Sequence, residues 1–145
     1  MLRSLVGSEM CIRDRWKGDH IELFIDAMPD ADTNRTTWGD GQFQIALSPG
    51  NFRTTGDALV DVKPEAYAYR PEGLDVSSCV IAARRTLQGY ALEALVPFPV
   101  LGISAPRQGL PISLEVALSD CDSPEGAQEK HMTCLLYTSP SPRDS

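Results

Sequence analysis

His20-Ile21-Glu22-Leu23-Phe24-Ile25-Asp26 (HIELFID, 20–26) alternates with a period of two. Ile21, Leu23 and Ile25 fall on one side, and Glu22, Phe24 and Asp26 on the other. In an extended chain successive side chains point to opposite faces, so this pattern predicts a strand whose two faces differ in character. GQFQIAL (41–47) repeats it, with Phe43, Ile45 and Leu47 set against Gln42 and Gln44. EAYAYR (65–70) is a shorter run of the same kind.

SSCVIAARRT (77–86) and GYALEALVP (89–97) are separated by Leu87 and Gln88, with a glycine at the end of the break, which predicts an antiparallel hairpin. LPISLEVALSD (110–120) closes the series, with Ile112, Leu114, Val116 and Leu118 on one side. Turn-forming stretches rich in Pro, Gly, Asp and Asn lie between the runs. Only PFPVLGISAP (97–106) has room for a helical turn, around Val100 and Leu101. Six predicted strands without a long amphipathic helix point to an all-β fold, an antiparallel β-sandwich of the jelly-roll or immunoglobulin-like kind.

The two ends do not fit this pattern. LVGSEMCIRD (5–14) and CLLYTSPSPRD (134–144) are unlike each other. Yet one is encoded by an oligonucleotide and the other by its complement. That oligonucleotide resembles a transposase-based sequencing-library adapter. Residues 1–15 and 134–145 are accordingly read as adapter-derived, and such scars are set aside before fold reasoning. The remaining segment, residues 16–133, is expected to be one partial domain, incomplete at both ends.

Arg3, Arg13, Arg15 and Arg143 lie in those ends, against Glu9, Asp14 and Asp144, so the chain's net charge of −7 becomes −8 between Trp16 and Thr133. An acidic domain without a basic cluster argues against nucleic acid as a partner. No apolar run reaches the roughly 20 residues of a membrane-spanning helix. Of four cysteines, Cys11 and Cys134 belong to the ends, leaving Cys79 and Cys121 as either free thiols or one disulfide. No metal-binding Cys/His spacing is present.

WKGDHIELFID (16–26), DGQFQIALSPG (40–50), GYALEALVPF (89–98) and ISLEVALSDCD (112–122), in this order, resemble family 9 carbohydrate-binding modules and the related DOMON-type sandwiches. The resemblance covers nearly all of residues 16–133. It implies a β-sandwich, often with structural calcium, that binds an oligo- or polysaccharide between aromatic side chains. It also implies an extracellular, periplasmic or cell-surface location and tethering to other domains of a polysaccharide-processing protein. The family has further strands ahead of Trp16 and a second stacking aromatic beyond the last acidic stretch, where CLLYTSPSPRDS begins.

By position, the resemblance makes Trp16 a stacking aromatic, Glu22 a polar sugar contact and Gln44 a weaker third match. An indole face suits the C–H-rich face of a pyranose, and a carboxylate accepts sugar hydroxyls. The bland alternative for Trp16 and Glu22 is an edge aromatic and a solvated strand carboxylate. Trp38, in TTWGDGQ (36–42), is read as a packing residue, with a second platform as the other option. Asp26, Asp30 and Asp32 form one loop cluster of carboxylates; Asp120 and Asp122, with Glu125, form another. Calcium takes roughly six to eight oxygen ligands, which such clusters could supply, although neither has EF-hand spacing; ordinary solvated turns are the alternative.

His20 and His131 have no nucleophile motif beside them, and each acidic pair is local to one loop or strand, so no catalytic residue is assigned. The leading expectation is therefore non-catalytic carbohydrate binding by an accessory domain. The alternative is a structural or interaction β-sandwich that binds no sugar.

Overall fold

The structure, a computed structural model, describes residues 19–31, 34, 36–50, 63–120 and 130–133. Among the expected site residues, Trp16, Asp32 and Asp122 lie outside this set. So do Cys121, and with it the question of a Cys79–Cys121 bridge, and Glu125.

The described chain is all-β, with strands β1 (His20–Asp26), β2 (Gln42–Ser48), β3 (Glu65–Arg70), β4 (Val80–Thr86), β5 (Gly89–Leu95), β6 (Ser113–Asp120) and β7 (Lys130–Thr133). A five-stranded antiparallel sheet runs in the order β3-β2-β1-β6-β7, and β4 and β5 pair as a separate two-stranded sheet. HIELFID is thus the central strand, bonded to β2 on one side and β6 on the other.

The period-two reading places the faces as the alternation requires. Ile25, Phe43, Ile45 and Leu47 form the buried core on one face of the large sheet. Ile45 is completely buried. Val100 and Leu101 join this cluster from a single 3-10 turn, Phe98–Leu101, where the helical turn was expected. Ile81 of β4 and Leu92 of β5 pack against it, which brings the hairpin onto this face. Apolar side chains on a common face lower the free energy by about 25 cal/mol for each Å² they remove from water. That gain holds the two sheets together.

The hairpin covers only part of the large sheet. Among the described residues, no apolar side chain of β6 or β7 is in the core cluster or packs against it. Ile112, Leu114 and Leu118, expected to line the buried side of β6, are 38%, 57% and 40% exposed, and Met132 on β7 is 57% exposed. The alternation is right and the burial is not, because among the described residues the hairpin and the 3-10 turn pack on the β1–β2 core alone.

Candidate functional site

The other face of the large sheet carries the polar and aromatic side chains. Antiparallel register sets residues directly opposite one another on the same side. Phe24 lies between Gln44 on β2 and Glu115 on β6, and Asp26 between Gln42 and Ser113. Glu22 lies between Ala46 and Ala117, both fully buried. Tyr67 on β3 is opposite Ala46, and its ring meets the Tyr69 ring edge-on at 5.0 Å.

Trp38 reaches this face from the loop between β1 and β2. The loop is pinned at its base. Ala27 N–H donates to the Gly41 carbonyl at 2.8 Å, and Gln42 N–H donates to the Gly39 carbonyl at 3.2 Å. The Gln42 side chain closes it further, its Oε1 accepting from Gly39 N–H at 3.1 Å. Gly41 has φ +80, and a Cβ there would lie 2.9 Å from Met28 Cγ. Glycine alone takes up this left-handed conformation without strain.

Held in this way, the Trp38 ring centroid is 6.2 Å from that of Phe24, with the planes tilted by 32°. The Arg70 guanidinium carbon is 5.4 Å from the Trp38 ring centroid, within cation–π range. A register irregularity contributes to this contact. Ile45 pairs with Ala68 but Gln44 pairs with Arg70, so β3 has one extra residue at this point. Bulges re-aim side chains in this way. Trp38 therefore packs, as expected, and still leaves 43% of its surface exposed.

A cleft of about 400 Å³ opens between this loop and the sheet. Phe24, Trp38, Asp26, Gln42 and Glu115 line it, with threonine and serine hydroxyls at its margin. Asp26 is fixed by its neighbours: Oδ1 accepts from Met28 N–H at 2.8 Å, and Oδ2 accepts from Gln42 Nε2 at 2.9 Å. Glu115 is half-buried, and its carboxylate makes no hydrogen bond or ion pair with any described residue.

The predicted contacts Glu22 and Gln44 come together beside this cleft, on the same face. Gln44 Nε2 donates to Glu22 Oε2 at 2.9 Å, and His20 Nε2 is 3.1 Å from Glu22 Oε1. The Glu22 side chain is only 14% exposed, and His20 is buried. Both carboxylate oxygens thus already have protein partners. Across from His20, the buried Ser119 hydroxyl has no hydrogen-bond partner among the described residues.

The expected calcium ligands are dispersed or outside the described residues. Asp26 faces the cleft with both oxygens occupied, and Asp30 is exposed in the following loop. Asp120 ends β6. Among the described residues, no three His, Cys, Asp or Glu side chains converge on a point suited to a metal ion.

No family model, curated protein or solved structure matches the chain.

Proposed function

We propose that this chain binds carbohydrate without catalysing a reaction on it. The observation that carries the reading is the cleft in which the half-exposed Trp38 lies above Phe24, with Asp26, Gln42 and Glu115 around them. Sugar recognition needs an aromatic surface for the C–H face of the ring and fixed polar groups for its hydroxyls. Both are supplied here by a loop and two strands. Trp38 takes the stacking role, Glu115 and Gln42 the hydroxyl contacts, and the Glu22–Gln44 pair extends the polar surface along β1 and β2. The resemblance to family 9 carbohydrate-binding modules points the same way. The ties that Met28 and Gln42 make to Asp26 support recognition rather than hydrolysis, which needs a carboxylate pair free to protonate and attack.

Affinity electrophoresis of the chain through gels containing soluble xylan or glucan tests this. Wild type is expected to be retarded, and Trp38→Ala to be retarded much less, since losing a stacking ring costs about 0.5–1.5 kcal/mol beyond the buried area, or roughly two- to tenfold in affinity. Identical mobility of wild type with and without polysaccharide rejects the proposal. A second reading, an interaction domain that binds no sugar, is favoured by one specific observation, the uncovered side chains Leu114, Leu118 and Met132. Contiguous exposed apolar surface is a mark of contact with another protein.

A further inference from the structure

We infer that the Trp38 cleft is built for a glycan bearing free amines, a 2-amino-2-deoxy sugar in its ammonium form, and disfavours carboxylate-bearing sugars. The inference rests on the carbohydrate reading and adds the charge of the ligand to it.

Asp26 and Glu115 both line the cleft, and among the described residues no Lys or Arg does. Asp26 has one protein donor on each oxygen, which fixes its orientation. Glu115 differs, because it is half-buried between β1 and the cleft and has no partner among the described residues. A carboxylate without a protein donor is open to an ammonium group, which would form a charge-assisted hydrogen bond with it. Phe24, directly across the strand pair from Glu115, and Trp38 above it present π-faces, which attract cations. The position of Arg70, 5.4 Å from the Trp38 ring centroid and outside the cleft lining, is one such contact already made. A uronic acid would bring a third negative charge to the same place, and like charges in a cleft reject a ligand.

The confounding effect is bulk charge, since a polyamine is drawn to any chain of net charge −7. The test separates the two. Calorimetric titrations at about pH 6, where carboxylates are ionised, compare glucosamine oligomers, N-acetylglucosamine oligomers, cello-oligosaccharides and oligogalacturonate, each of one fixed length. The proteins are wild type, Glu115→Gln and Glu93→Gln, the last removing one exposed charge from β5. Wild type is expected to prefer the amine-bearing oligomer about tenfold over its N-acetylated counterpart, with oligogalacturonate weakest. Glu115→Gln is expected to remove that preference, and Glu93→Gln to change it less than about twofold, as a distant solvated charge does.

Equal affinity for amine-bearing and neutral oligomers overturns the inference and leaves the carbohydrate reading standing. Equal losses in the two variants overturn it as well, by assigning the preference to bulk charge. Absence of binding to all four sugars overturns both readings.

Discussion

Cys79 sits half-buried just ahead of β4 and packs against the core. Burial, and after it the negative charge of Asp75, pushes its thiol above the ordinary value of 9.0. Asp75 is itself held below the usual carboxylate range by the Ser77 side chain and then by Ser77 N–H, which donates to its Oδ1 at 2.9 Å. A thiol whose pKa is raised by folding binds its proton more tightly in the native state. The resulting stability is fully present below pH 9.0 and is lost as pH rises through the folded value. Thermal melts of wild type and Cys79→Ala at a series of pH values are therefore expected to converge above about pH 9. A constant difference in melting temperature up to about pH 11 would contradict this. Glu115 shows why single residues are harder to read than their surroundings. Its neighbours in sequence mark only a strand position. Its place across from Phe24 and in reach of Trp38 comes from the β1–β6 pairing, and these two strands are far apart in the chain. Trp38 was visible in the sequence as an aromatic in a turn-rich loop, but packing and ligand contact are not alternatives there: the ring does one and leaves surface for the other.

The loop between β1 and β2 decides whether the cleft exists. Gly41 has φ +80 and lies immediately before β2 and three residues after Trp38. Replacement by alanine adds a methyl group 2.9 Å from Met28 Cγ, but Met28 is exposed and flexible and can move aside. The backbone conformation cannot be relieved so easily, and it costs about 1–2 kcal/mol for a residue with a Cβ. Gly41→Ala is expected to lower the unfolding free energy from urea titration by that amount and to weaken polysaccharide retardation along with it. A variant as stable as wild type that still binds would show that the turn does not position Trp38. The alternation of apolar and polar residues was enough to locate β1 to β6, including the hairpin, because pleating imposes the period within each strand. β7 escaped notice. KHMT (130–133) shows no alternation over four residues and is a strand only because β6 offers it an edge. The same dependence on distant pairing hid the bulge that turns Arg70 toward Trp38.

Coverage of the large sheet is uneven, and the consequence is measurable. β6 presents Leu114 and Leu118 on the core side of the sheet, and Met132 on β7 is paired directly with Leu118. All three are 40–57% exposed. The hairpin reaches the β1–β2 core and contributes nothing over this end. An exposed apolar strip along the outer strands of a sheet favours association, both through the strip and through the unpaired edge beside it. The chain is therefore expected to show concentration-dependent association in sedimentation velocity and to bind a dye that reports exposed apolar surface. Leu114→Thr/Leu118→Thr places β-branched strand formers at both positions while removing most of the apolar area. That double variant is expected to sediment as a monomer and to lose most of the dye signal, with little loss of stability because the replaced side chains are already largely in water. Sugar binding by Leu118→Thr alone gives the internal control, since Leu118 does not line the Trp38 cleft whereas Leu114 does. A wild-type chain that stays monomeric at every concentration and melts cooperatively would mean that the strip is harmless, and would remove the observation behind the interaction-domain reading.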